Sequence, residues 1–252
     1  MSIIRIATLI TLAFSPLSLA SPTLDDQNQT LTKRSPVPFG VYIERCSIPG
    51  TIALTFDDGP HVFTPKVLDT LRSRGARATF FVNGQSTGNI HANAGVVQRA
   101  IAEGHQIGSH TWSHPSLAGL DYNAIIDQML ALEGAFMQII GRIPTYMRPP
   151  FLAVDGAVLA AMGQLGYHVI GASIDTKDYE NDNPAAIQNS LVRFRDQLNA
   201  GGTISLAHDV RQWTVEVLVQ AMIDEVSARG LRMVPVGECL GDPADLWYRG
   251  PR

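Results

Sequence analysis

The chain has 252 residues, 45% of them apolar and 17% charged, with a formal net charge of −4. That balance excludes an intrinsically disordered chain and supplies enough apolar residues for a sizeable core. It also lacks the basic surplus of a nucleic-acid binder, so no nucleic-acid partner is expected.

In chain order, the first stretch reads MSIIRIATLITLAFSPLSLASP: a single Arg5, an apolar run from Ile6 to Phe14, and a small-residue exit ending at Ala20. This layout predicts a secretory signal peptide over residues 1–20, because the run is too short to cross a bilayer. The polar stretch 21–34 ends in the dibasic pair Lys33-Arg34 and reads as a propeptide. It also holds the sequon Asn28-Gln29-Thr30. Without residues 1–34 the chain carries 16 Lys and Arg against 21 Asp and Glu, a net of −5. No second apolar span follows and LWYRGPR at the C-terminus has no hydrophobic tail, so no membrane anchor is expected. The expected product is a secreted, extracellular or wall-associated monomer whose domain covers residues 35–252.

Two cysteines, Cys46 and Cys239, lie near opposite ends of that domain. Secretion favours an oxidised pair, worth about 5 kcal/mol in the chain-entropy model for so long a loop. Two unpaired core thiols are the alternative.

From Thr51 onward, short apolar runs alternate with helical periodicity. The predicted strands are Thr51–Phe56, Ala78–Asn83, His105–Ser109, Thr145–Arg148, Tyr167–Ser173, Thr203–His208 and Leu231–Val236. Between them, helices are predicted over Thr64–Gly75, Ala94–Gly104, Asn123–Gly141, Asp155–Gly166, Pro184–Gly202 and Thr214–Gly230, each ending in a glycine suited to a C-cap. Strands apolar on both faces, separated by helices, predict an α/β fold with a parallel sheet. Six or seven such units without a GxGxxG turn favour a (β/α) barrel over an open doubly wound sheet.

The polar residues follow the strands. Thr51–Phe56 runs into Asp57-Asp58-Gly59-Pro60, His105–Ser109 into His110 through Pro115, and Thr145–Met147 into Arg148-Pro149-Pro150-Phe151. Tyr167–Ser173 leads to Asp175, Asp178 and Tyr179, and Thr203–Ala207 to His208-Asp209. In a parallel barrel these ends converge on one face. His110 and His114, four apart before a proline, are expected in a tight loop from which both imidazoles reach one point. With one carboxylate they form a two-His, one-carboxylate set suited to a divalent zinc or cobalt ion. Successive strand residues point oppositely, so Asp57 and Asp58 are expected to differ: one binds the cation and the other takes a proton from water. A surface turn is the plainer account of the pair. The cation and Arg148 are expected to lower the pKa of that base. His208 reads as general acid, its pKa raised by Asp175, or else as a packed core histidine. His61, His91, His105 and His168 have no comparable context. Gly171-Ala172-Ser173-Ile174-Asp175 fails as a serine elbow, and there is no Walker loop.

These residues resemble the polysaccharide deacetylase family, the NodB-homology or carbohydrate esterase family 4 group. TFDDGP, SHTWSHP, RPPF, DTKDY and LAHD match five of its motifs in order, and the likeness covers residues 51–240. The resemblance implies a distorted (β/α) barrel in a single domain that hydrolyses acetyl groups on polysaccharides. It implies Asp57 as base, Asp58, His110 and His114 as metal ligands, Arg148 orienting the base, and His208 as acid steadied by Asp175. It also implies the Phe151 N–H as oxyanion donor and Leu206 as pocket floor. DTKDYEN, and VGECLGD with Cys46, are most similar to secreted fungal chitin deacetylases, implying N-deacetylation of chitin or its oligomers. Acetylxylan esterase and peptidoglycan deacetylase are the alternatives within the family, and a non-catalytic chitin-binding protein lies outside that chemistry. Leu152 replaces a common glycine and Tyr179 a common tryptophan, changes that bear on the subsites.

Overall fold

The computed structural model describes residues 35–252, so the expected signal peptide, propeptide and sequon lie outside the described residues. Eight strands form one parallel sheet: β1 (Tyr42–Ile43), β3 (Thr55–Asp57), β4 (Thr79–Val82), β5 (Gln106–Ser109), β7 (Tyr146–Met147), β8 (His168–Ile170), β9 (Ile174–Asp175) and β10 (Ser205–His208). Their spatial order is β1-β8-β7-β5-β4-β3-β10-β9, curling into a barrel with no ladder between β9 and β1. Two small pairings complete the base. β2 (Thr51–Ile52) lies parallel to β11 (Arg232–Met233), and β6 (Ile143–Pro144) antiparallel to β12 (Tyr248–Arg249). This is the expected distorted barrel.

Helices Thr64–Ser73, Ala94–Ala102, Tyr122–Ile140, Gly156–Leu165, Ile187–Asn199 and Val219–Ala228 cover the strands, within a few residues of the predicted spans. Their ends follow from local chemistry. The Asp121 and Asp155 carboxylates accept the Ala124 and Val158 N–H groups at 3.0 and 2.9 Å, and Gly141 and Gly166 close the same two helices in left-handed conformations. Two helices depart from prediction. Helix Ile187–Asn199 begins only after a turn in which Asn183 accepts the Ala185 and Ala186 N–H groups. The segment Thr214–Leu218 is a π-helical turn leading into helix Val219–Ala228.

Apart from the half-buried edge strand β1 and the last residues of β9 and β10, the sheet strands are buried on both faces and divide their side chains between two apolar layers. Leu54, Phe56 and Phe80 pack outward beneath the helices, while Ala53, Phe81, Tyr146 and Ile170 fill the interior. In that alternation Thr55 and Asp57 fall on the inner side with Ala53. The predicted strand Thr51–Phe56 is split because its two halves find different partners. β2 pairs with β11, Ala53 bridges to Ile204, and β3 lies between β4 and β10. The strand expected over Tyr167–Ser173 stops at Ile170; Gly171 still donates its N–H to the Ile43 carbonyl at 2.7 Å and packs so close to Tyr42 that a Cβ there would lie 2.5 Å from the ring. The two-residue strands β1, β6, β9 and β12 carry no periodicity and were not foreseen. Cys46 and Cys239 form a disulfide across 193 residues of sequence.

Candidate active site

Asp57, Asp58, His110, His114, Phe151, Leu152, Asp175, Tyr179, Leu206, His208 and Arg211 line one cavity of about 350 Å³ at the C-terminal ends of the strands. It therefore gathers every catalytic, metal-ligand and substrate residue expected from the sequence except Arg148, which lies buried directly behind Asp57.

The backbone at the rim is strained. Among the described residues, six non-glycine residues have φ between 51° and 76°: Asp58, Thr111, His114, Phe151, Leu152 and Lys177. All six lie in the segments after β3, β5, β7 and β9, and four of them line the cavity. Such conformations cost about 1–3 kcal/mol each and persist only where surrounding contacts impose them. At Asp58 the left-handed turn changes the expected geometry. Simple strand alternation would send Asp57 and Asp58 apart, but φ of 76° at Asp58 returns its carboxylate to the same cavity. Gly59 follows of necessity, because a Cβ there would lie 2.4 Å from the Asp209 carboxylate.

Asp57 is held from behind. The Arg148 guanidinium, fully buried, donates to Asp57 Oδ1 at 2.9 Å, to Thr55 Oγ1, and to the carbonyls of Ile170 and Gly171 at 3.3 and 2.8 Å. It rests on the Phe81 ring, 4.5 Å from guanidinium carbon to ring centroid. That ring lies against Gly108, where a Cβ would come within 2.5 Å of it. A glycine inside β5 thus makes room for the ring that supports the arginine that aims the carboxylate. Burial pushes the Asp57 carboxyl above its ordinary value, with Arg148, His208 and His114 opposing. Among the chain's own groups desolvation outweighs Arg148 and the two histidines, whereas the lowering expected from the sequence counted a bound cation as well.

Asp58, His110 and His114 converge: one donor atom from each lies within 4.8 Å of the others. Asp58 Oδ1 is 3.5 Å from His110 Nε2 and 3.3 Å from His114 Nε2, is buried, and has no hydrogen-bond partner. His110 Nδ1 donates to the Arg148 carbonyl at 2.7 Å, and a carbonyl can only accept, so Nε2 presents a lone pair to the cavity. Burial holds His110 neutral, its pKa lowered to about 3. A carboxylate oxygen without a proton donor, facing a neutral imidazole nitrogen, is an arrangement a divalent cation satisfies. The side chains fit such an ion. The loop carrying the two histidines is tied by Asn83, whose amide donates to the His110 and Thr111 carbonyls and whose backbone N–H donates to Gly59.

Across the cavity the histidine is treated in the opposite way. His208 Nδ1 bonds Asp178 Oδ1 at 2.7 Å, and Asp178 Oδ2 accepts the His208 backbone N–H and the Thr214 hydroxyl, each at 2.7 Å. Burial alone would lower the His208 pKa, but Asp178, then Asp57 and Asp58, raise it to about 9. His208 is therefore the charged imidazole of the pair. Its partner is not the expected Asp175. That carboxylate accepts the Lys177 N–H at 2.9 Å and the Tyr179 hydroxyl at 3.3 Å, while the left-handed Lys177 turns the chain so that Asp178 enters the core. The Tyr179 ring meets His208 edge-on, centroids 5.4 Å apart. The DTKDY run offers two aspartates, and only the turn between them decides which one reaches His208. Phe151 is largely exposed at the rim, its ring against His114 at 4.8 Å, and Leu206 is buried in the cavity wall. Arg211 is the cavity residue that sequence reasoning missed, and Asp178, named there among the strand-end residues, was given no role.

Comparison with known proteins agrees with this geometry. Residues 44–170 match the polysaccharide deacetylase family model. A chitin deacetylase from Pestalotiopsis sp is 52% identical over 217 residues, covering 86% of this chain and 72% of that protein. The chain belongs to the polysaccharide deacetylase family. A family member from Arthroderma benhamiae named "Probable peptidoglycan-N-acetylglucosamine deacetylase" is 51% identical over 219 residues, and this chain spans half its length. The solved chitin deacetylase of Colletotrichum lindemuthianum superposes with a TM-score of 0.83 at 44% identity, covering 86% of this chain and 98% of that one. This family member thus shares fold and sequence with deacetylases of N-acetylglucosamine polymers.

Proposed function

We propose that the chain is a metal-dependent N-deacetylase of chitin or chitooligosaccharides, releasing acetate and leaving a free amine. The observation that carries this reading is the convergence, within one cavity, of Asp58, His110 and His114, with His208 held charged by Asp178 opposite. In the proposal Asp58, His110 and His114 hold a divalent zinc or cobalt ion. Such an ion would polarise the acetyl carbonyl and make a nearby water acidic.

The chain's own groups perform the rest. Asp57, aimed by Arg148, takes the proton of the attacking water as its oxygen bonds to the carbonyl carbon. The Phe151 N–H donates to the oxygen that gains charge, an interaction worth about 3 kcal/mol in comparable sites. His208 gives its Nε2 proton to the sugar nitrogen as the C–N bond breaks, and Asp178 keeps that ring charged and oriented beforehand. Leu206 forms the apolar floor for the acetyl methyl. A charged acid matters more for an amide than for an ester, because amine nitrogen leaves poorly unless protonated. That requirement supports an amide substrate over acetylxylan.

The domain in this proposal is residues 35–252, secreted after removal of a signal peptide over 1–20 and a propeptide over 21–34. The Cys46–Cys239 disulfide supports an oxidising compartment, and among the described residues no helix is long and apolar enough to cross a membrane. The test is acetate release from N-acetylglucosamine oligomers and from acetylated xylan, each with and without added zinc or cobalt. Metal-dependent release from the oligomers is the expected result, and release from the ester alone would overturn the amide assignment.

A further inference from the structure

Two arginines adjoin the catalytic cavity, and the fold uses them differently. Arg148 directs its donors at Thr55, Asp57, Ile170 and Gly171. Arg211 lies three residues beyond His208, fixed by its backbone N–H to the His208 carbonyl at 3.2 Å, and its side chain lines the cavity. Among the described residues no ion pair or side-chain hydrogen bond reaches its guanidinium, and its Nε–H is buried without a partner. A permanently charged guanidinium with no acceptor of its own protein therefore stands at the cavity wall on the side that carries the acid. A buried donor left unmatched is costly, and an oxygen acceptor removes that cost when it binds. A purely structural arginine would hold an acceptor of its own protein, and this one holds none.

We propose that Arg211 is the substrate-holding arm of this site, donating to hydroxyl or amide oxygens of the sugar unit next to the one being deacetylated. The inference rests on the proposed deacetylase reading and extends it, since it assigns recognition of the neutral glycan chain to a residue outside the metal cluster and outside the acid–base pair. Because Arg211 holds no protein acceptor, replacing it orphans no buried carboxylate and leaves the fold intact. Its contribution is to binding, and so it acts on KM more than on kcat.

The experiment compares Arg211→Met and Arg211→Lys with the parent chain, using Michaelis kinetics of acetate release from the N-acetylglucosamine tetramer. Binding of the same tetramer is also measured by calorimetry in an Asp57→Asn background. In Arg211→Met, KM should rise about tenfold or more, the loss of one charged hydrogen bond, with kcat within about twofold and the melting temperature unchanged. The calorimetric affinity should fall by the same factor, and Arg211→Lys should recover part of it. Unchanged KM and affinity, or a fall in kcat at constant KM, would overturn the proposal. So would a penalty confined to carboxylate-bearing muramyl fragments, which would make the acceptor an anion rather than a neutral oxygen. If the parent chain released no acetate, the deacetylase reading would fail, while the calorimetric arm would still report on Arg211.

Discussion

The cavity has two halves built on opposite electrostatic principles. On one side, at the ends of β3, β5 and β7, His110 leans its Nδ1–H on a carbonyl and burial holds the ring neutral, its pKa lowered to about 3. On the other, at the ends of β9 and β10, burial also disfavours charge on His208, yet Asp178 and the more distant Asp57 and Asp58 overcome it and raise its pKa to about 9. The same side chain becomes a lone-pair donor in one half and a proton donor in the other, and the atom behind Nδ1 separates them. Strain follows function on both sides: Asp58, Thr111 and His114 carry it in the first half, Lys177 in the second.

The largest effect should come from breaking the Asp58–His110–His114 half. Chelation of divalent cations should abolish acetate release, and restoring zinc or cobalt should recover it. His110→Ala should lower metal affinity, measured by calorimetry, by more than about a hundredfold, since it removes a ligand rather than a supporting contact. Asp57→Asn is the more discriminating variant. It should retain the metal yet lose about 10²- to 10⁴-fold in kcat, the range of a general base. Full activity in Asp57→Asn would remove Asp57 from its assigned role.

How much of this contrast was legible in the sequence differs between the halves. In the first, the residues lining the cavity were named, because strand ends in a parallel barrel face one way and His110, His114 and the paired aspartates stand where strands stop, whereas their supports Asn83, Thr55 and Phe81 were not. The barrel and its six long helices were legible for the same reason: burial on both faces writes continuous apolar runs, and capping residues mark their ends. In the second half the acid was found but its partner was not. Thr176 and the left-handed Lys177 separate Asp175 from Asp178, and periodicity does not record such a turn. Arg211 sits past a strand end in a segment without a motif.

Intermediate in size is the prediction that converts one half toward the other. Asp178→Asn removes the carboxylate that keeps His208 charged, so kcat at neutral pH should fall about 10- to 100-fold. The alkaline limb of kcat against pH should move from about 9 toward the ordinary 6.5. The sign for stability follows from the same shift. A folded pKa above the unfolded one contributes stability that is full below about 6.5 and is lost as pH rises through about 9. Denaturant midpoints of the parent chain should therefore decline over that window, and those of Asp178→Asn should decline less. An alkaline limb that stayed at about 9 in the variant would show that another group supplies the proton.

The smallest effect is expected at Tyr179, and it bears on which aspartate serves the acid. Its hydroxyl donates to Asp175 Oδ2 while its ring meets His208 edge-on. Tyr179→Phe deletes the first contact and keeps the second. If Asp178 alone controls His208, kcat should change by no more than about threefold, the scale of one partly exposed hydrogen bond, and the alkaline limb should stay where it is. A loss near that of Asp178→Asn, with the limb displaced, would mean that Asp175 acts on His208 through the tyrosine. The charged half would then be a chain of two carboxylates rather than one buried pair.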